Sequence, residues 1–464
     1  MGREKTGFWL LSQKVKISAI FFYLLILFLP TQFGKHFWPS FSYVYGIRID
    51  YLSPTLYLTD ILIIGLILFC VLENVLIARD FPQTIKAVKG STAKLLIIFS
   101  FVIFLLLGTF HSKNSSAGIY GIIKFLEYIF LFSYTAKNFR TLNKFVLFST
   151  FICGILFESF LTISQYFNQG SIGGILYFLG ERSFNSQTPG IANAAINGQL
   201  FLRPYATFSH PNVLAGYLFV FMTLIVVLAK QKFFKQQNVF IYLSFICGSI
   251  ALFLTMSRVS MLAWGTVIMF FLAHSFWKKT RMVFTKKADL RQIKNKTLLL
   301  LFFAIALFIF TFPIGLRFFQ LNLSDETVVQ REILIQDSIV MFQQHPILGV
   351  GLNNFLVNLP LVQKQYGEVL YIQPVHNIYL LILSETGVIG LVAFLYFLLS
   401  TFKRLKKNAN VEFQALFILI LFLGFFDHYF FTLQQGQLLI VITFGLFWST
   451  PKKTIREKNG NIKQ

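Results

Sequence analysis

The sequence predicts an all-α fold, a polytopic membrane helical bundle of about 12 transmembrane helices. Three observations predict it. Hydrophobic residues make up 56% of the 464 and charged residues only 13%, too apolar and too poor in charge for a soluble chain of this size. Apolar runs long enough to cross a bilayer, ~20 residues each, recur along the chain. The formal charge of +23 is concentrated in short clusters between those runs, where it carries topology information, rather than on one face as nucleic-acid binding requires.

Taken in order, the runs are 16–32, 53–77, 93–110, 116–136, 144–167, 211–229, 238–255, 259–277, 297–315, 376–400, 411–428 and 433–450. The first follows a basic start without a small-residue cleavage site, so it reads as a retained span. The seventh and eighth nearly fuse around Ser257-Arg258, which demands a tight hairpin or frayed ends. With both termini cytoplasmic, 31 of the 41 Lys and Arg fall on the inner side and nine on the outer, with Lys124 inside a span. This is the asymmetry expected of cytoplasmic loops.

Two outer segments are long, Asn168 to His210 and Arg317 to Val375, and such loops are more often functional than filler. In the second, Ser324 is placed to cap a helix from about Asp325 to Gln343 that stops at His345-Pro346. The turn-rich "GVGLNN" follows. Its Gly-x-Gly has no preceding strand, so a dinucleotide site is rejected. Cys70, Cys153 and Cys247 form no C-x-x-C pair, which argues against zinc or a disulfide framework. No metal-spaced His/Cys or Asp-x-Asp cluster faces outward, so no metal and no cofactor are expected.

The polar residues follow a pattern. Arg203, His210, Arg258, Arg331, His345, His376 and the Asp427-His428 pair all fall on the outer side, at or near membrane ends, and Asn377 follows His376. Arg suits planar, bidentate phosphate recognition, and His376 opens a helix whose positive end faces outward and adds to an anion site. Near neutral pH, His376 is also suited to take a proton from a sugar hydroxyl. Each Arg has the plainer reading of an interfacial anchor, and His345 reads as a helix stop. Glu385, about 12 Å below its helix start by helical rise, needs a partner or a cavity. Gly387 and Gly390 read as permitting close helix approach, Lys124 and Glu127 as pairing with each other, and Glu158 has no evident role.

Four phrases taken in order, "LRPYATFSHPNVLAGYL", "LTMSRVSML", "REILIQDSIVMFQQHPILGVGLNNF" and "HNIYLLILSETGVIGLVAF", resemble the bacterial O-antigen ligase and O-antigen polymerase superfamily. The resemblance covers roughly the second half of the chain, and Ala206 stands where such proteins often have Gly. It implies a multi-pass, metal-independent glycosyltransferase of the bacterial plasma membrane with an extracytoplasmic site. Such an enzyme moves a glycan from an undecaprenyl-diphosphate-linked donor to a glycan or lipid-anchored acceptor, among membrane lipids and with no nucleic acid.

Carried over, His376 and Arg331 are the catalytic residues. Arg203 and Arg331 would bind the diphosphate, with Arg258 a further phosphate or structural contact; by position rather than by the resemblance, Asn377 joins them as a diphosphate-binding candidate and His210, Glu385, Asp427 and His428 are candidate supporting residues. Residues 1–210 are then the first five spans and first long outer loop, 211–450 the ligase-like membrane region including the outer loop 317–375, and 451–464 a basic cytoplasmic tail. A transporter or flippase of lipid-linked oligosaccharide is the alternative, and an assembly scaffold a third reading. The flippase needs charge reachable from both sides, and apart from Lys124, Glu127 and Glu158 the interior offers little.

Overall fold

Apolar helices dominate the chain because a backbone in hydrocarbon must satisfy its own polar groups, which a helix does within one segment. The computed structural model describes residues 16–80, 92–196, 198–229, 238–283, 326–363, 371–408 and 411–449. Its helices are α1 (Ile17–Leu27), α2 (Leu58–Asp80), α3 (Thr92–His111), α4 (Ser115–Asn138), α5 (Lys144–Asn168), α6 (Pro211–Ala229), α7 (Asn238–Leu254), α8 (Arg258–Val283), α9 (Glu326–Gln344), α10 (Phe355–Val362), α11 (Ile378–Lys407), α12 (Val411–Phe426), α13 (Tyr429–Thr432) and α14 (Gln434–Ser449). Helices stand at eleven of the twelve expected spans. The ninth, 297–315, lies outside the described residues, as do Ser324 and Asp325. Among the described residues, four helices, α4, α5, α6 and α11, are long and apolar enough to cross a membrane.

The expectation of helix alone misses three short antiparallel ladders, all on connections between helices. They pair β1 (Gly34–His36) with β4 (Thr55–Tyr57), β2 (Tyr43–Val44) with β3 (Ile47–Arg48), and β5 (Asn193–Ile196) with β6 (Gln199–Leu202).

Helix starts follow local chemistry. Asn114, Asn143 and Asn377 each cap a helix by accepting backbone N–H groups with the side-chain oxygen, a role Asn favours. Helix α6 begins at Pro211, whose missing N–H is no loss in a first turn. Apolar nearly all round, α6 is the most enclosed helix, as such a pattern requires. Its Tyr217, Phe219 and Phe221 pack with Phe148 and Phe151 of α5 and Trp264 of α8 in the main core. A second, smaller core joins Leu334 and Met341 of α9, Phe355 and Leu356 of α10, Val375, and Leu52 and Val44 of the first connection.

Helix α9 runs one residue later than expected and ends where His345 donates its N–H to Met341. The following loop lies against α11, and this corrects the reading of Gly387. Rather than admitting a neighbouring helix, Gly387 breaks α11, with φ 64° and ψ −167°. A Cβ there would stand 2.2 Å from the Ile347 carbonyl oxygen. Val350 and Gly351 then donate to the carbonyls of Ser384 and Glu385, and Val388 donates to that of Pro346. The loop thus takes up backbone groups near the break, a requirement for irregular chain at membrane depth. Gly390 is buried instead beneath Thr386 of its own helix.

Glu385 has a partner. Its carboxylate accepts the N–H groups of Asn353 at 3.0 Å and Phe355 at 3.1 Å, closing the turn that starts α10. Lys124 bonds Glu127 at 3.2 Å as expected, but its shorter contact, 2.7 Å, is to Asp60 of α2. Asp60 also accepts from Tyr57 N–H and from Gln434 of α14, so three helices share one ionic cluster. Glu158 accepts the hydroxyl and N–H of Thr207, at 2.9 and 3.2 Å.

Candidate functional site

The segment from Arg203 to His210 is held by amide and carboxylate groups of α5 rather than by regular structure. Gln165 accepts the N–H groups of Tyr205 and Ala206, at 3.0 and 2.7 Å, and donates to the Ala206 carbonyl. Ala206 adopts φ 49°, the left-handed region that favours glycine. Beyond the turn, His210 starts α6 by accepting the Asn212 N–H on Nδ1.

Two helix ends meet this segment. The α7–α8 connection is tight, as expected, with Met256 at φ 55°, and its Thr255 carbonyl accepts from Arg203 Nε at 2.8 Å. The other guanidinium edge, Nη2, donates to Asn212 Oδ1 at 2.6 Å. Asn212 Nδ2 in turn donates to Asp427 Oδ2, also at 2.6 Å. Asp427 lies in the break between α12 and α13, accepts the N–H of His428 at 2.8 Å, and brings His428 against His376. The two imidazole rings meet edge-on, 4.9 Å between centroids. Tyr51 of the first connection packs edge-on to His428 at 5.7 Å. His428 Nδ1 bonds Thr432 at 2.6 Å, which fixes that ring, whereas His376 Nδ1 is buried with no hydrogen-bond partner among the described residues.

Charge and burial set the protonation states. Burial lowers His376 below its usual value; Asp427 opposes that and the Arg331 charge adds to it. His210 and His428 are pushed down to about 3, chiefly by burial. Burial alone would raise Asp427, but the facing His428, His376 and His210 and the Asn212 hydrogen bond outweigh it and hold the carboxyl at about 2. The site therefore contains neutral imidazoles, one ionised carboxylate, and the fixed cations Arg203 and Arg331.

Of the residues singled out by sequence, Arg203, His210, His376, Asp427 and His428 are brought together, and Arg331 of α9 is near enough to lower all three histidines. Arg258 stands at the first position of α8. Asn377 directs its side-chain oxygen to the N–H groups of Tyr379 and Leu380, so that oxygen serves the helix start. Glu385 is occupied beneath α10 and does not join the histidines.

The ligand atoms of His376, Asp427 and His428 all lie within 4.8 Å of one another. No local spacing in the sequence shows this, because His376 and the Asp427-His428 pair precede different helices. One carboxylate and two neutral imidazoles are a donor set that suits a divalent ion. Here the carboxylate already accepts from Asn212 and His428, with two guanidinium cations nearby. Sequence reasoning missed Asn212, whose place after Pro reads as ordinary helix-start chemistry, and Tyr51, which belongs to a region without a recognisable phrase.

No curated protein matches the chain. Residues 243–395 match the family model described as O-Antigen ligase, a stretch that contains Arg258, Arg331 and His376 and ends before Asp427. Over those residues the chain is similar to the O-antigen ligase family, and among the described residues four of its helices are long and apolar enough to cross a membrane.

Proposed function

We propose that the chain transfers a glycan from an undecaprenyl-diphosphate carrier to an acceptor hydroxyl at the outer face of the bacterial plasma membrane, without a metal ion. His376 accepts the proton of the acceptor hydroxyl. The oxygen bonds to the anomeric carbon of the donor sugar, the bond from that carbon to the diphosphate breaks, and undecaprenyl diphosphate leaves. Arg203 and Arg331 bind the diphosphate and neutralise the charge that develops on it. Fixed cations in a water-poor site stabilise such charge strongly, and a positioned base contributes ~10²–10⁴-fold.

The observation that carries this reading is the juxtaposition of a half-buried, neutral His376, whose buried Nδ1 has no hydrogen-bond partner among the described residues, with Arg203 through the Asn212–Asp427 bridge. A base with a vacant lone pair beside phosphate-binding cations is what transfer from a diphosphate needs. On the same reading residues 211–450 carry the chemistry, and residues 1–210 supply Arg203, Tyr51 and the groups on α5 that hold the Arg203 segment. Both termini are assigned to the cytoplasm, which puts the site outside.

The test is to incubate purified protein in lipid vesicles with undecaprenyl-diphosphate-linked oligosaccharide and candidate acceptors, in the presence of a metal chelator. Glycosylated acceptor and free undecaprenyl diphosphate in equal amounts are expected. Movement of the lipid-linked glycan across the bilayer without transfer would instead establish a flippase.

A further inference from the structure

Helix α5 shows a single exposed stripe along its length, Phe145, Cys153, Phe160 and Phe167, at intervals of seven or eight residues that keep them on one face. On a helix long and apolar enough to cross the bilayer, that stripe is its lipid-facing side. The exposed apolar surface does not stop at the helix end. It continues over a 3₁₀ turn, Gly174–Leu179, where Ile175 is 76% and Phe178 69% exposed and Ile172, Tyr177 and Leu179 are exposed as well.

This turn is held open. Glu181 accepts the N–H groups of Ile172 and Gly173 at 2.8 and 2.7 Å, and Gly173 and Gly174 take φ 79° and 64°, angles that glycine allows. At the far end Gly180 abuts Thr31, so a Cβ there would stand 2.2 Å from the Thr31 hydroxyl. A segment fixed in this way cannot fold its aromatic side chains onto the core. Tyr and Phe next to the exposed Arg182 match the composition of an interfacial lipid anchor, aromatic groups inserted with a cation at headgroup level.

We propose that Ile172–Leu179 is seated in the lipid leaflet at the site's end of the bundle, with phospholipid acyl chains covering the side chains from Ile172 to Leu179. The anchor is wired to the site. Gln165 donates to Glu181 at 2.7 Å and accepts from Tyr205 and Ala206, two and three residues after Arg203. Resting on the transferase reading, the consequence is that insertion sets Arg203 at headgroup depth, where a lipid-linked diphosphate lies.

The experiment places nitroxide labels at Ile175→Cys and Phe178→Cys in the full chain lacking its three cysteines, reconstituted in phosphatidylcholine and phosphatidylglycerol vesicles. Collision rates with oxygen and with a water-soluble nickel complex are compared with labels at Phe160→Cys, facing lipid, and Gln187→Cys, in the exposed loop. Rates matching Phe160 are expected. Rates matching Gln187, or protection from both reagents as beneath a protein partner, would overturn the anchor. A second arm measures transfer by the Ile175→Asp, Phe178→Asp double variant, for which KM for the lipid-linked donor is expected to rise about tenfold with kcat within about threefold. An unchanged KM overturns the depth-setting role. Absence of any transfer by the unaltered protein overturns the transferase reading, while the collision rates still decide the anchor.

Discussion

Asn212 joins Arg203 to Asp427, accepting from the guanidinium and donating to the carboxylate at 2.6 Å each. One amide thereby fixes the Arg203 guanidinium relative to the acid beside two histidines. Hydrogen bonds to charged groups are worth about 1.5–3 kcal/mol, so Asn212→Leu should lower kcat/KM about 10- to 100-fold. Asn212→Asp keeps an acceptor for Arg203 and sets a second carboxylate against Asp427. It should lower kcat more than it raises donor KM, as steady-state kinetics of the two variants will show.

The histidines give the site a pH dependence with a definite sign. His376 lies below its usual value through burial and the Arg331 charge, so it is neutral through the physiological range and becomes protonated only in acid. Transfer should be flat around neutrality and fall only in acid, below the ordinary imidazole range. Stability follows the same direction. His210 and His428 are lowered from 6.5 to about 3, so between those values the unfolded chain binds protons that the folded chain refuses. The contribution of these two histidines, read in detergent as the melting-temperature difference between the parent and a His210→Gln, His428→Gln variant, should be greatest above pH 6.5 and shrink progressively toward pH 3.

Glu385 carries a structural assignment that a conservative variant tests. Its alanine variant leaves the buried N–H groups of Asn353 and Phe355 without acceptors, a loss of about 1–3 kcal/mol each, and should lower the melting temperature. Glu385→Gln keeps a carbonyl oxygen and should retain transfer within about threefold, whereas a carboxylate acting in the chemistry would lose about 10²-fold or more.

Lys124 compensates Asp60 and Glu127 at 2.7 and 3.2 Å. Removing one partner of a buried ionic group costs about 3–5 kcal/mol, so Lys124→Met should be poorly stable. Adding Asp60→Asn and Glu127→Gln should restore much of the loss, measured by thermal unfolding.

The helices were legible because hydrocarbon forces apolar runs to declare themselves, and α4, α5, α6 and α11 lie close to where composition puts them. The ends of the site were legible for the same reason, since Arg203, His376 and His428 stand out against apolar neighbours. The contacts among them were not. Asn212 and Asp427 are 215 positions apart, and a polar residue after Pro looks like any helix start. Gly387 was misread because a glycine that breaks a helix and one that admits a neighbour look alike in sequence; only the Ile347 carbonyl tells them apart. Lys124 found its nearer partner on α2, beyond any local spacing rule.

Everything proposed for the site rests on His376 and Arg331 acting in glycan transfer from a lipid-linked diphosphate. The most direct measurement is single-turnover transfer by His376→Ala and Arg331→Ala proteins in vesicles, after each is shown to retain the parent's helix content and melting behaviour. His376→Ala should lose about 10²–10⁴-fold, and Arg331→Ala should also be severely impaired. Transfer by both folded variants at the rate of the parent would contradict that role.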